Sequence, residues 1–370
     1  MIRIAFVTGA RSEYGVMKGL IRELSGDASF EISIIATGMH YLNKFGNTIE
    51  EIRKDNLAQI IDAPCYCETD QPKEKDFVSL IDTLSEVFSN NRFDLVYVLG
   101  DRLEAYAAAL AAHFNKIPLA HFAGGQLTNG AVDNIYRYNI SNLASIHFVT
   151  NIYAEERLKK CPIIDKSKVF MVGSSAVDSI NKYLSNPLDS RIIDERLTPG
   201  SYVLATFHSE TMSSGAGCLI PEIMDIVLGT LVRNGLKVLV TYPNNDDGSA
   251  GIIKIIKKWE GNNSIIVKKN LGAELYYCAV SNSLFVAGNS SSGIIEVPYF
   301  SKYTLDIGTR QAGRNAPKSV IHVSSDPEKV NNALETLLQK PSCELPQEYI
   351  YGKGDSNGLI HRIILKEFSC

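Results

Sequence analysis

A small polar loop near residue 290 has the residue types that bind an anion. The stretch "AGNSSSGIIEVP" (287–298) follows the apolar run "SLFVA" and uses Gly, Asn or Ser at six consecutive positions. If the run is a strand and "GIIEV" opens a helix, four residues lie at the helix N-terminus, where N–H groups and the helix dipole favour an anion: Ser290, Ser291, Ser292 and Gly293. The loop therefore predicts a phosphate site. The alternative interpretation is a serine-rich N-cap without a ligand.

Residues that follow this loop extend the predicted site. Glu296 can accept hydrogen bonds from a pair of ribose hydroxyls, as the acidic residue of dinucleotide-binding folds does; the alternative is an exposed helical glutamate. The stretch "GTRQAGR" (308–314) supplies Arg310 and Arg314. Guanidinium groups are preferred phosphate ligands because they bind it through two N–H groups at once.

The elements that must position these residues form a repeating α/β pattern. Short apolar runs alternate with longer amphipathic stretches and are typical of buried parallel strands. Six runs cover residues 2–9, 30–38, 93–100, 117–125, 146–150 and 168–175, and six more cover 201–209, 236–243, 263–269, 283–289, 302–308 and 319–325. The fold class predicted is α/β, with two doubly wound, Rossmann-like domains facing across a cleft.

Polar residues cluster directly after these runs. They include "TGARSEYG", "GDRLEA" and "HFAGGQLTNGAVDN" in the first half and "TFHSETM", "YPNNDDGS", "GNSSSG" and "GTRQAGR" in the second. Ligands of doubly wound sheets bind outside the carboxyl ends of the strands. We therefore expect the functional residues of both halves at those ends.

Composition restricts the class of partner. The 370-residue chain is 45% hydrophobic and 21% charged with a formal net charge of −4, which argues against a nucleic-acid or membrane binder because both need a basic surface. The N-terminus "MIRIAFVTGA" does not resemble a signal peptide, so a cytoplasmic location is expected. The seven cysteines are scattered, and neither they nor "NNDDGS" predict a metal site.

The motifs resemble those of the UDP-N-acetylglucosamine 2-epimerases, specifically the hydrolysing branch that serves sialic-acid, legionaminic-acid and capsule biosynthesis. The resemblance covers nearly the whole chain and rests on "TGARSEYG", "GDRLEA", "GGQLTNGAVDNIYRY", "TFHSET", "YPNNDDGS", "GNSSSGIIE" and "IGTRQAGR" in this order. It implies a GT-B-like pair of domains, UDP at Ser290, Ser291, Glu296 and Arg310, a nucleotide contact at Asn244, and Arg11 and Arg102 near the diphosphate and sugar. A homodimer or tetramer is the oligomeric state that it favours.

The resemblance also implies a reaction. A carboxylate can remove the weakly acidic C2 proton of a 2-acetamido sugar only if departing UDP makes C1 electron-poor. Water then adds to the glycal, and the products are the 2-epimeric sugar and UDP, without a metal or redox cofactor. The acid and base candidates are Asp101, Asp133 and His208. Taken singly, these are also compatible with a helix N-cap, a solvated loop residue and a structural hydrogen-bonding histidine.

The sequence departs from the family pattern at three positions. Gln126 stands where hydrolysing members carry an acidic residue, Asn134 replaces a second carboxylate, and Tyr138 replaces a histidine. Glutamine can hydrogen-bond an acetamido group or hydroxyl but cannot take a proton, so we expect a smaller or rearranged acid/base set, with Gln126 kept among the catalytic residues as a hydrogen-bonding group. The substrate is then UDP-GlcNAc or a UDP-2,4-diacetamido-6-deoxy sugar.

Two other functions remain alternatives at this point. One is a GT-B glycosyltransferase that moves the sugar of a UDP-sugar to an acceptor, and the other is a non-catalytic nucleotide-sugar-binding protein. The expected domains are residues 1–175 on the sugar side, residues 176–355 for UDP, and a C-terminal helix over 356–370 that packs back on the first domain.

Overall fold

The protein is divided into two compact units. The computed structural model describes residues 1–43, 46–66, 72–127, 133–210, 220–243, 248–340 and 346–368. The first unit holds Met1–Gln126, residues 133–179 and the segment from Tyr351 onward, and the second holds residues 180–350. The chain thus leaves the first unit and returns to it at its end.

Strands and helices alternate along the described chain. The strands are β1 Ile2–Thr8, β2 Phe30–Thr37, β3 Gln59–Ala63, β4 Leu95–Leu99, β5 Leu119–Phe122, β6 Ile146–Val149, β7 Val169–Met171, β8 Tyr202–Thr206, β9 Lys237–Thr241, β10 Ile265–Lys268, β11 Phe285–Gly288, β12 Tyr303–Ile307 and β13 Val320–Val323. The α-helices are α1 Arg11–Ser25, α2 Ile49–Asp55, α3 Lys73–Asn90, α4 Leu103–Phe114, α5 Asp133–Leu143, α6 Ile152–Lys159, α7 Ser175–Leu184, α8 Ile220–Arg233, α9 Ser249–Trp259, α10 Gly272–Asn282, α11 Ser292–Ile295, α12 Pro327–Gln339 and α13 Ser356–Phe368.

Each unit contains one parallel sheet. The strand order is β3-β2-β1-β4-β5-β6-β7 in the first sheet and β10-β9-β8-β11-β12-β13 in the second. Both orders reverse after the first strand of the unit, between β1 and β4 and between β8 and β11, as in Rossmann-like folds. The prediction of two doubly wound α/β domains is confirmed.

The twelve predicted runs each overlap a strand, and one strand was missed. β3 lies at the edge of the first sheet and is mostly solvent-accessible, with the sequence "QIIDA". Its two consecutive isoleucines lie between the polar residues Gln59 and Asp62, so its composition does not distinguish it from a loop.

Apolar side chains of the strands pack on both faces of the first sheet. On β1, Ile4 and Phe6 join the core beneath α1, whereas Ala5 and Val7 join the core beneath α3 and α4. The alanines of α4 that face this core are fully buried, and their small side chains allow the helix to approach the sheet closely. This close packing fixes the start of α4, where two predicted site residues lie.

The C-terminal helix belongs to the first unit. Ile360 and Ile364 of α13 are buried in the same core as Leu20 of α1. Asp178 accepts hydrogen bonds from the N–H groups of Ser356 and Asn357 at 3.1 and 2.9 Å, which caps the first turn of α13.

Two glycines allow the outgoing and returning chains to touch next to this cap. A Cβ atom on Gly173 would lie 2.9 Å from the carbonyl oxygen of Tyr351, and one on Gly352 would lie 2.8 Å from the Cα of Gly173. Both glycines have positive φ, 85° and 91°, so any other residue would be strained in its backbone as well as crowded.

No helix in the described ranges is both long and apolar enough to cross a membrane. Among these residues there is also no group of three or more His, Cys, Asp or Glu side chains placed to hold a metal ion.

Candidate active site

The turn after β4 holds a predicted acid/base residue in the first unit. Gly100 has a φ of 74° and directs the chain away from the sheet, so that Asp101 follows at the carboxyl end of the strand. The Asp101 carboxylate accepts a hydrogen bond from Arg137 of α5 and forms an ion pair with it. The N-cap position of α4 belongs to Arg102, so Asp101 does not have the capping role that was its alternative.

Arg137 connects three parts of this site. Its guanidinium group is buried and reaches Asp101, the carbonyl oxygen of Gln126 at 3.0 Å, and Asn134 Oδ1 at 3.0 Å. Asp133 is the exposed first residue of the same helix. The two predicted carboxylates, Asp101 and Asp133, are therefore connected through one helix and one buried cation.

The structure shows how the three departures from the family pattern are accommodated. The Gln126 side chain is largely buried and donates from Nε2 to Thr150 Oγ1 at 2.7 Å. Asn134 accepts from Arg137, and the Tyr138 hydroxyl lies 3.4 Å from the carbonyl oxygen of Gly125. Two amides and a phenol thus make hydrogen bonds to the protein at the positions where the family pattern has two carboxylates and an imidazole, which can transfer protons.

Arg102 lies in a cluster with two buried carboxylates. Its guanidinium group donates to both oxygens of Glu104 at 3.2 and 3.3 Å, and its Nε lies 3.9 Å from Glu13 Oε2. Glu13 also accepts from the Gly9 N–H at 2.8 Å, and burial, only partly offset by Arg102, raises its pKa to about 7. Arg102 is thus neutralised locally, which limits the charge it offers to a diphosphate.

Arg11 lies at the start of α1. Its side chain is half exposed and forms an ion pair with Glu51 of α2 at 3.0 Å. An exposed pair of this kind contributes little to stability and opens readily. Contacts of Arg11 and Arg102 with a ligand stay predictions.

The serine loop of the second unit forms a single helical turn. α11 spans Ser292–Ile295, with Ser291 as its N-cap, and is followed by a 3₁₀ turn over Val297–Phe300. Pro298 limits the length of α11, because proline has no N–H to donate to the carbonyl oxygen four residues before it and cannot continue the α-helical ladder. The N-terminus of this single turn supplies backbone donors, but its dipole is weaker than that of a longer helix.

Side chains order this loop from within. Ser292 Oγ lies 2.6 Å from the Tyr276 hydroxyl and 2.9 Å from Ser290 Oγ. Gly293 lies directly against Thr304, whose hydroxyl donates to the Gly293 carbonyl at 2.6 Å. Burial raises the pKa of Glu296 to about 7, so this half-buried side chain is easily protonated near neutral pH.

Asn289 connects the loops after three strands of the second sheet. It is fully buried, accepts from the His208 N–H at 2.7 Å and donates to the His208 carbonyl at 2.8 Å. Its own carbonyl oxygen accepts from Arg310 at 3.3 Å and Gln311 at 3.0 Å. This contact brings the predicted residues His208, Arg310 and the serine loop together at one end of the sheet.

Glu210 fixes the loop that carries the arginines. Its carboxylate accepts from the N–H groups of Thr309 and Arg310 at 2.7 and 3.0 Å and from the Thr309 hydroxyl at 2.9 Å. Arg314 follows in the same loop, where its N–H donates to the Gln311 carbonyl at 3.1 Å.

Burial, with a smaller effect from Arg310, lowers the pKa of His208 to about 3, so its imidazole is neutral in the ligand-free protein.

Sequence reasoning missed several of these residues. Glu13, Glu104, Glu210 and Asn289 all lie inside quoted motifs without being singled out. Asn289 directly follows β11 and Glu210 lies four residues after the end of β8, so their positions near strand ends are the signal that could have found them. Arg137 lies within an amphipathic helix, and only the folded structure brings it to Asp101. Asn244, a predicted nucleotide contact, lies outside the described residues.

The two sheets place these loops where nucleotide-sugar enzymes of the GT-B class place theirs, at the carboxyl ends of two doubly wound sheets. The family model of UDP-N-acetylglucosamine 2-epimerase matches residues 22–365. The chain belongs to this family.

Relatives of known name match nearly the full length. A UDP-N,N'-diacetylbacillosamine 2-epimerase (hydrolyzing) from Legionella pneumophila is 30% identical over 95% of this chain and 93% of its own. A GDP/UDP-N,N'-diacetylbacillosamine 2-epimerase (hydrolyzing) from Campylobacter jejuni is 30% identical over 91% and 88%.

A solved structure supports the same fold. The crystal structure of UDP-GlcNAc 2-epimerase from Neisseria meningitidis bound to UDP-GlcNAc superposes with a TM-score of 0.83, covering 99% of this chain and 100% of that one at 19% identity. The full-length sequence match to hydrolysing 2-epimerases favours that function over a glycosyltransferase or a non-catalytic binding protein.

Proposed function

We propose that this protein is a hydrolysing 2-epimerase that converts a UDP-2-acetamido sugar to the free 2-epimeric sugar and UDP. The observation that carries the proposal is the retained Asp101 carboxylate, held by Arg137 at the end of β4, in a chain that matches hydrolysing enzymes nearly from end to end. The relatives' names support two substrates, UDP-GlcNAc and a UDP-2,4-diacetamido-6-deoxy sugar.

The reaction has two steps. In the first, a carboxylate removes the C2 proton while the C1–O bond breaks and its electron pair leaves with UDP, which forms a C1–C2 double bond. In the second, water adds its oxygen to C1 while C2 takes a proton on the face opposite to the one that lost it. Asp101 and Asp133 are the proposed acid and base, because Gln126 and Asn134 cannot exchange protons at neutral pH.

The second unit is proposed to stabilise UDP as it leaves. Arg310 and Arg314 supply positive charge, and the serine loop supplies hydroxyl and N–H donors from Ser290, Ser291, Ser292 and Gly293. Donors that are fixed before the reaction stabilise developing charge with little reorganisation. Glu296 is proposed to accept from the ribose hydroxyls.

His208 is proposed to act as a neutral hydrogen-bonding group towards the diphosphate. Burial lowers its pKa to about 3, which supports a neutral imidazole over an imidazolium acid in the ligand-free state near neutral pH. A bound diphosphate would raise that pKa, because a nearby anion favours the charged imidazole.

Proton NMR in deuterated water tests the proposal, with UDP-GlcNAc and UDP-diacetamidobacillosamine as parallel substrates. The expected result is free 2-epimeric sugar with deuterium at C2, together with UDP, from one of the two. Intact nucleotide sugars in both samples would contradict the proposal, and product that forms only with an added acceptor would identify a glycosyltransferase.

A matched pair of variants assigns the carboxylate. Asp101→Asn should abolish C2 exchange, because an amide cannot remove the proton. Asp94→Asn is the control: Asp94 precedes β4 and pairs with Arg3 at 3.0 Å, so it is also an arginine-bound aspartate next to the same strand but lies at the opposite end. If both variants lose C2 exchange to the same extent, Asp101 is not the residue that removes the C2 proton.

A further inference from the structure

A buried hydrogen-bond relay lies beneath the Gly100–Asp101 turn. His121 of β5 is fully buried, with Nε2 2.7 Å from the Gly100 carbonyl oxygen and Nδ1 3.0 Å from Ser141 Oγ. A carbonyl oxygen can only accept, so His121 Nε2 carries the hydrogen and Nδ1 accepts from the Ser141 hydroxyl. The relay therefore runs in one direction, from Ser141 through His121 to Gly100.

Both backbone groups of Gly100 are bound by consecutive residues of β5. The Gly100 N–H donates to the Phe122 carbonyl at 2.9 Å, and its carbonyl accepts from His121. The peptide group that leads into Asp101 is thus fixed on its sheet side. Burial lowers the pKa of His121 to about 3, so the imidazole stays neutral and keeps this tautomer in the neutral range.

Ser141 belongs to the helix that also holds the Asp101 side chain. Asp133, Arg137 and Ser141 follow one another at intervals of four residues on α5, so they lie along one stripe of the helix. Arg137 contacts the Asp101 carboxylate, and Ser141 reaches the same turn through His121. These contacts form a closed ring that joins β4, β5 and α5.

Gly124 covers the relay directly. A Cβ atom at this position would lie 2.7 Å from Ser141 Oγ and 2.9 Å from His121 Nδ1. The first glycine of the "GGQ" motif is therefore required by the Ser141–His121 hydrogen bond, which connects the relay to the loop that carries Gln126.

We propose that His121 and Ser141 are positioning residues that fix Asp101 relative to Asp133. This proposal rests on the proposed function. In the reaction, the two carboxylates act on one sugar ring, so a shift of about 1 Å in either reduces turnover much more than binding. The relay prevents that shift because it holds the backbone of one carboxylate and the helix of the other.

The test uses two amides that differ in reach. The side-chain nitrogen of glutamine can take the place of Nε2, whereas that of asparagine extends only as far as Nδ1. We expect His121→Asn to lower kcat by roughly 100-fold with KM nearly unchanged and His121→Gln to restore most of the loss. Ser141→Ala should lower kcat by a smaller factor.

His147 provides the matched control. It lies opposite His121 in the register of β5 and β6, is also buried, and its Nδ1 has no hydrogen-bond partner among the residues that the structure describes. His147→Asn and His147→Gln should have equal kcat values close to that of the unaltered protein. The thermal midpoint of each variant distinguishes a loss of positioning from a loss of fold.

The outcomes separate this proposal from the proposed function. Unaltered protein that releases no sugar overturns the function, whereas active protein in which His121→Asn and His121→Gln are equally active overturns the positioning role. Nitrogen-15 NMR of labelled histidine provides a readout without turnover: a protonated His121 Nε2, and an Nδ1 signal that moves in Ser141→Ala, are expected. An Nδ1–H tautomer would overturn the relay.

Discussion

At the scale of single residues, the candidate site separates groups that exchange protons from groups that hold a position. Asp101 is bound by a buried arginine, whereas the Gln126 amide donates to Thr150. Glu296 stands apart because burial brings its pKa close to neutrality. A carboxylate that titrates near pH 7 in a proposed ribose site makes nucleotide affinity depend on pH.

We expect UDP affinity to rise with pH up to about 7 and to level off above it. Ribose hydroxyls donate to the carboxylate form of Glu296, so UDP binding lowers the pKa of Glu296. Below pH 7 the affinity for UDP should therefore fall by a factor that approaches tenfold per pH unit. Calorimetric titration of UDP between pH 5.5 and 8.5 measures this dependence.

The terminal phosphate of UDP itself titrates near pH 6, as does a phosphate group on a protein, whose second pKa is about 6. Glu296→Gln therefore serves as the control that measures the pH dependence of UDP alone. The variant should bind more weakly at pH 8 and lose the part of the pH dependence that is due to Glu296. Glu274→Gln, on the exposed first turn of α10, should match the unaltered protein. A variant with an unchanged pH profile would exclude Glu296 from the ribose site.

At the scale of elements, the sequence predicted the sheet strands better than the contacts between them. Central strands are continuous apolar runs because helices cover both faces. β3 was missed because its sequence "QIIDA" has only two large apolar residues in a row. The carboxyl-end rule placed Asp101, His208 and Arg310 correctly at strand ends. It could not find the Arg137–Asp101 pair or the Asn289–His208 contact, since each joins residues distant in sequence whose proximity depends on tertiary packing.

The C-terminal helix gives a direct test of packing in the first unit. Ile364→Ala should destabilise the protein by about 2–5 kcal/mol, because it leaves a cavity in the core next to α1. Arg362→Ala is the control, since Arg362 is exposed and pairs with the exposed Asp355, and should change stability by less than about 0.5 kcal/mol. Urea unfolding measures both, and equal midpoints would show that α13 does not contribute to the core.

At the scale of the whole molecule, two Rossmann-like units divide the proposed chemistry. Proton-transfer candidates lie in the first unit, and the groups proposed to hold UDP lie in the second. This division was predicted from the family resemblance, because composition and periodicity alone give two similar domains without saying which one binds the nucleotide.

Hydrogen exchange with UDP tests the division. UDP should slow amide exchange after β8, β11 and β12 and leave the turn after β4 unaffected. At a concentration of 100 times Kd it should stabilise the folded state by about 2.7 kcal/mol. Protection confined to the first unit would contradict the assignment of UDP binding to the second unit. Arg310→Ala should remove the protection that UDP gives to the second unit.

The return of the chain to its first unit has a consequence for synthesis. Ile360 and Ile364 complete the core against α1, yet the ribosome adds them only after the whole of the second unit. Residues 180–350 are all available earlier, so the second unit can fold during translation while one face of the first sheet still lacks its final helix. Of these two units, the one whose strands are made earlier is thus completed later, and a nascent chain that stops before Ser356 exposes the apolar surface that α13 would cover.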